Sequence, residues 1–454
     1  MENKNPAALQ CAGEDLLEAG YGRANVTPDY PVPIAGSAST RISEGCEDPL
    51  YITFLALRQG KQTLLIATMD FVGSYAEYAQ PLREEVSRVT GIPEEFVILN
   101  TTHTHSSANV RNGEGLNIAR YRKEVTQGAV TAAKEALEDL APAQVWYGSI
   151  QAPGMAWVRH YKMADGTYAG ANYGSFKKST IVGHASEADT EMQLVKFARD
   201  RQGKQDIVLM NFPAHGTLHK NLLLSADFPG PARAYVAEKT GALVAYFIAG
   251  AGDQVPSSRV PEEMFSADYK VYGEELGRIA VEGLQNMTRL ETTDLRFSHR
   301  TFTGSSNQEG LDRLDEALAV KAIWEQVGGR GTPEGKAAAK GHGFSSVYQV
   351  TAILNRVHLG PTRSLELRTL AIGDVGFILA PYEMFGASAM YVKEHSPYKM
   401  TFVISCSQNH DGYLPSQLGW QLQCYESQIT RFARGTAEQL AREYVDILTN
   451  MKEC

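Results

Sequence analysis

Phe96-Val97-Ile98-Leu99-Asn100-Thr101-Thr102-His103-Thr104-His105-Ser106-Ser107 is the stretch on which the reading of the chain turns. Four consecutive apolar residues pass without a break into hydroxyls and imidazoles. A short apolar run of this kind marks a strand buried on both faces. In open α/β sheets, ligands gather beyond the carboxyl ends of such strands. Side chains alternate along extended chain, so His103 and His105 fall on one face. Neutral imidazole is a good zinc ligand, and its second nitrogen then needs an acceptor. Two histidines satisfied by hydrogen bonds in a loop are the plainer account of the pair, which alone is a weak sign of metal binding.

Working outward, residues 51–58 and 63–70 read as strands around Gln59-Gly60-Lys61, and 75–90 as a helix closed by Gly91 and Pro93. Residues 121–139 have helical spacing. This β–α–β–α order implies an α/β fold with mixed sheets covered by helices. Residues 191–197 and 206–212 flank Arg201-Gln202-Gly203, a hairpin signal. Helices are expected at 232–240, 265–287, 311–327, 385–394 and 428–448, and a strand at 242–248. Gly373-Asp374 joins strands 365–372 and 375–380. Residues 328–343, rich in Gly, Lys and Ala, read as an exposed connection. No linker interrupts the chain, so residues 1–454 read as one large domain, with 1–19 a disordered stretch or leader remnant.

Composition narrows the functions. The 43 Lys and Arg against 52 Asp and Glu give a net charge of −9, which argues against a broad nucleic-acid or anionic-lipid footprint. No apolar run reaches the ~20 residues that span a bilayer. Five cysteines (Cys11, Cys46, Cys406, Cys424, Cys454) without a CxxC pair argue against a disulfide framework or a thiolate zinc site. No G-x-S-x-G elbow is present. Compartment and oligomeric state stay open.

Two further apolar runs end as the first does. Residues 207–212 lead into Pro213-Ala214-His215, and 375–380 into Pro381-Tyr382-Glu383. A carboxylate there is costly unless paired or metal-bound. Each alone is more often a structural polar group; their shared placement points to a common site.

These residues also resemble the neutral/alkaline ceramidase family. Thr102-His103-Thr104-His105-Ser106 is similar to its THTHSG motif, and Tyr21 to Pro28 to its opening G-x-G-x-A-D-I-T segment. Ile66 to Asp70 resembles the strand ending in Ser-Ala-Asp, and Phe212 to Thr217 the F-x-x-H-P-T block. Ser225 to Gly230, Ala249 to Asp253, Pro381 to Phe385, and Gly412-Tyr413 with Tyr425-Glu426 follow in the family's order. The resemblance implies a ceramidase-like catalytic domain with one catalytic zinc ion held by His103, His215, Glu383 and Tyr413. It casts His105 and Tyr425 as catalytic groups, and Asp70 and Asp253 as substrate-polarising or substrate-binding ones. The implied reaction is hydrolysis of the amide of a lipid-like N-acyl substrate.

Several departures bear on the substrate. Val255 stands where the family has a serine after its Gly-Asp turn, and Ser107 to Val110 replaces a Gly-Pro-Gly-Gly rim. The chain is expected to lack the C-terminal β-sandwich of the ceramidases proper, and Ala156 to Gly166 is similar to the N-R-R-x-x-M-x-D-G segment of short bacterial relatives. Arg159, in a segment resembling theirs, suits a substrate carboxylate or phosphate. Hydrolysis of a small soluble amide or ester is therefore an alternative, and a non-catalytic metal- or ligand-binding protein a second.

Overall fold

In the computed structural model, residues 16–37, 41–111, 115–170, 180–199, 203–260, 263 and 268–453 are described. Arg201 and Gln202 of the expected turn, residues 1–15 and residues 265–267 of an expected helix lie outside them. A nine-stranded sheet is built from β1 (Glu18–Asn25), β2 (Tyr51–Gln59), β3 (Gln62–Met69), β4 (Val97–Thr101), β5 (Ala141–Gln151), β6 (Glu191–Arg199), β7 (Ile207–Phe212) and β8 (Leu243–Ile248). Their order is β8-β7-β6-β5-β1-β2-β3-β4, and the short strand Thr288–Arg289 adds to β5. Two neighbouring pairs, β3 with β4 and β7 with β8, run parallel; the others are antiparallel. β4, β7 and most of β8 are buried throughout, as uninterrupted apolar runs require.

A second sheet contains β9 (Leu295–Ser305), β10 (Thr362–Ile372), β11 (Val375–Leu379) and β12 (Met400–Ile404), the last two parallel. Its inner face, with Phe297, Leu370, Phe377 and Phe402, packs on Ile66, Ile98, Leu209 and Phe247 of the first sheet. Each such side chain contributes about 1.5–3 kcal/mol on burial. Helices close both outer faces, so the molecule is layered helix, sheet, sheet, helix. On the first sheet lie α1 (Ala76–Thr90) and α2 (Ile118–Glu138), with α3 (Pro229–Thr240) and α4 (Tyr269–Gly283) beside them. Gly20 and Gly22 in β1 let α2 sit against the strand. A Cβ at Gly22 would stand 2.0 Å from the Ala132 carbonyl oxygen.

Residues 328–343 differ from the expected connection. After α5 (Leu314–Gln326) comes a further helix, α6 (Pro333–Gly341), then α7 (Val347–Arg356). Thr332 caps α6 by accepting from Gly335 N, with Pro333 at the first position. Trp324 donates its indole N–H to the Gly335 carbonyl at 2.8 Å, tying α5 to α6. α8 (Gly386–His395) and the helix Thr436–Glu453 cover the second sheet through Val392, Leu440, Tyr444 and Leu448. That last helix starts later than residue 428 because Gly435, at φ 88°, breaks the chain between it and the short helix Tyr425–Ile429. No helix among the described residues is long and apolar enough to cross a membrane.

Candidate active site

The site sits where parallel strands of both sheets end. β4 delivers His103, β7 delivers His215, β11 turns at Pro381 into Glu383, and β12 runs on to His410 and Tyr413. Short bridges lock these ends together: Thr104 pairs with Gly216, and Glu383 with Tyr413. Three non-glycine residues here take the left-handed conformation, His103 at φ 62°, Cys406 at 56° and Gln408 at 53°. Such backbone costs about 1–2 kcal/mol per residue and persists where the surroundings enforce it.

Every imidazole of the cluster is fixed by a main-chain carbonyl. His103 Nδ1 lies 2.5 Å from Val72 O, His105 Nδ1 3.0 Å from Gly36 O, and His215 Nδ1 2.6 Å from Ala251 O. A carbonyl only accepts, so each Nδ1 carries a proton, and in the neutral ring each Nε2 presents a lone pair. Those lone pairs meet. The ligand atoms of His103, His105 and His215 all lie within 4.8 Å of one another, with His103 and His105 Nε2 3.3 Å apart. Glu383 Oε2 stands 3.3 Å from His103 Nε2 and 3.2 Å from His215 Nε2, buried and with no hydrogen-bond donor. Tyr413 Oη is 3.4 Å from His215 Nε2.

Lone pairs and a carboxylate crowded into a buried volume repel one another unless a cation sits among them. Imidazole nitrogens, a carboxylate and a phenol suit zinc, and the carbonyls behind the rings provide its usual outer support. Charge states agree. Burial, with the nearby charge of Arg159, holds His215 down to about 4, and burial with the neighbouring imidazoles holds His105 well below its ordinary value. Burial would raise Glu383, but His103 and the other imidazoles outweigh it and keep the carboxylate ionised. Burial also opposes charge on His103, yet Cys406 and Glu383 overcome it. That one proton is what a divalent cation would displace.

A cavity of about 620 Å³ opens onto the cluster, lined by His103, His105, Glu383, Tyr413, Tyr425 and Arg159 among others. Tyr425 lies 5.9 Å, ring to ring, from Tyr413. Arg159 also reaches the cavity, but its Nη2 is held by Glu426 Oε1 at 2.5 Å and the Gly252 carbonyl at 2.9 Å. Neither Asp70 nor Asp253 lines the cavity. Asp70 accepts both Arg233 nitrogens, at 2.9 and 2.8 Å, and the Thr102 hydroxyl at 3.2 Å, anchoring the turn just before His103. Asp253 accepts from Gly386 N at 2.8 Å beside the start of α8, and burial raises its pKa.

Sequence reasoning missed His410, whose Nε2 lies 3.3 Å from Glu383 Oε1 and whose ring is 6.1 Å from that of His103. The signal was present: residues 400–404 are one more apolar run ending in polar residues. It also missed Glu426 as the partner of Arg159 and of His160, whose Nε2 is 2.9 Å from Glu426 Oε2.

No protein-family model and no curated protein matches the sequence. Solved structures do match in shape. One, described as a ceramidase complexed with C2, aligns with a TM-score of 0.71 at 14% identity over 97% of this chain and 76% of its own. The chain has the ceramidase fold. The neutral ceramidase from Pseudomonas aeruginosa gives a TM-score of 0.68 at 17% identity, over 97% of this chain and 75% of the other. That likeness accounts for the mixed α/β sheets covered by helices; at such identity the ceramidase fold alone is shared.

Proposed function

We propose that the chain is a zinc-dependent hydrolase that cleaves the amide bond of an N-acyl substrate. The observation that carries this reading is the clustering of the ligand atoms of His103, His105 and His215, with the Nε2 atoms of His103 and His215 at 3.3 and 3.2 Å from a Glu383 Oε2 that has no hydrogen-bond donor. The fold shared with solved ceramidases supports it. His103, His215, Glu383 and Tyr413 would hold the ion. Zinc, when bound, makes water acidic enough to attack near neutral pH and polarises the scissile carbonyl.

The chain's own groups do the rest. Val72, Gly36 and Ala251 carbonyls hold the imidazoles in the ligand tautomer. His105, kept neutral, accepts a proton at Nε2 and returns it to the departing amine. Burial keeps the Tyr425 phenol protonated, so its hydroxyl can donate to the developing oxyanion. Metal analysis joined to a turnover screen over N-acyl chain lengths tests the reading. A zinc-loaded chain that hydrolyses none of a broad amide and ester panel would overturn it in favour of a binding protein.

A further inference from the structure

The cavity wall carries the wrong charge for an uncharged lipid amide. In a chain whose net charge is −9, seven basic side chains line the cavity against two carboxylates, Glu383 and Asp411. Glu383 belongs to the imidazole cluster. Asp411 is shared by two guanidinium groups, Arg431 at 2.6 Å and Arg363 at 2.5 Å. Arg159 is balanced by Glu426. Arg111 faces Glu77 at 3.8 Å, and Lys220 and Arg259 stand on other loops; Arg330 and Arg356 lie on the side formed by the loop before α6 and by α7.

Arg356, only 4% exposed, donates to the main-chain carbonyls of Glu309 (2.6 Å), Gln428 and Thr430 (3.4 Å). Its Nε has no hydrogen-bond partner, and among the described residues no carboxylate pairs with it directly; the Glu309 charge offsets its burial only in part. Burial presses its pKa down to about 10, so it remains charged at neutral pH. Arg330, half-buried, donates to the Thr351 hydroxyl at 2.9 Å and lies 5.9 Å above the Tyr348 ring, again without a carboxylate. A buried cation without a counter-charge is costly, and guanidinium binds carboxylate or phosphate oxygens in pairs. A ladder of rings links the two ends: His215 to Tyr413 at 6.3 Å, Tyr413 to Tyr425 at 5.9 Å, and Tyr425 to Tyr348 at 4.9 Å.

We propose that the substrate carries an oxyanion, a carboxylate or a phosphate, held by Arg330 and Arg356 while its amide faces the imidazole cluster. This rests on the amide-hydrolase reading and narrows its substrate class. Three probes with one acyl chain test it: N-octanoylglycine, N-octanoyl-O-phosphoethanolamine and the neutral N-octanoylethanolamine. Binding is read by calorimetry on the Glu383→Gln chain and on the wild-type chain with a chelator, and turnover on the zinc-loaded enzyme.

At least one anionic probe should bind about tenfold tighter than the neutral one, and Arg330→Gln should close most of that gap. Which anion wins separates a carboxylate from a phosphate. Neutral binding as tight as either anion, or a preference untouched by Arg330→Gln, overturns the oxyanion site whatever the turnover. Anion-selective binding without hydrolysis of any probe keeps the oxyanion site and refutes the hydrolase reading instead.

Discussion

Two buried groups in this chain gather metal-ligating residue types, and they meet the cost of burial in opposite ways. His160, Cys424 and Glu426 lie within ligand reach of one another, as His103, His105 and His215 do. In the first group acid and base are matched. Glu426 takes Arg159 on one oxygen and His160 on the other, and these charges hold it well below the usual carboxylate range although burial works against ionisation. In the second, the ring N–H groups are spent on carbonyls, and what remains faces inward as lone pairs beside a donor-less carboxylate oxygen. Residue type and spacing cannot separate the two groups. The destination of each proton does.

The largest effect should come from breaking the lone-pair cluster. His103→Ala removes one of the convergent nitrogens, and zinc content and turnover should fall together, turnover by about 1000-fold or more if the ion supplies several kcal/mol. His160→Ala, in the matched group, should leave bound zinc in place. Elemental analysis of both variants beside their turnover reads the contrast. Zinc retained in the first, or lost only in the second, would exchange the roles of the two groups.

Next in size is the matched group itself. Glu426→Gln leaves the Arg159 charge buried without its partner, which should cost about 3–5 kcal/mol of stability. Denaturant midpoints at fixed zinc would measure it. The pH dependence follows from the same pair. Because the folded-state pKa of Glu426 lies below its ordinary 4.5, its stabilisation is complete above that value and drains away as pH falls further. The variant should therefore have the flatter acid limb; parallel limbs would show that the Glu426 charge does not support the fold.

How far the sequence revealed this architecture depends on how local each signal is. Apolar runs ending in His103, His215 and Glu383 are local, and their strands formed where the runs lay. The site's outer parts are not local. Glu426 meets His160 across 266 residues, and nothing near either position announces the pairing. α6 was hidden by composition, since Gly-Lys-Ala segments resemble linkers, although Thr332-Pro333 is an N-terminal signature. Asp70 became a candidate through the family resemblance alone; its carboxylate serves Arg233 and Tyr51 N.

A smaller effect should come from the wall between the groups. Gly252 packs under Glu383, where a Cβ would stand 2.7 Å from the Glu383 carbonyl and 2.9 Å from the Phe385 ring. Gly252→Ala should cost about 1–3 kcal/mol by overpacking. It should also weaken zinc affinity, since relief requires Glu383 to move. A stable variant with unchanged zinc affinity would show that the Glu383 strand yields without moving its carboxylate.

The smallest effect concerns Val255, which lines the cavity and pairs through its backbone with Trp157. That pairing fixes the main chain, so Val255→Ser exchanges an isopropyl group for a hydroxyl at an unchanged position. The loss of partly buried apolar surface should cost about 1 kcal/mol or less. Removing a positioned oxyanion donor costs 10²–10³ in rate in enzymes that rely on one, whereas a donor added without supporting neighbours should return much less, a rise of about tenfold at most. If turnover of N-octanoylethanolamine rises while zinc content holds, the cavity already orients its substrate as this hydroxyl requires. A fall in turnover at unchanged zinc would mean that the isopropyl group itself shapes the cavity for its amide, and that this wall, unlike the imidazole cluster, works by packing.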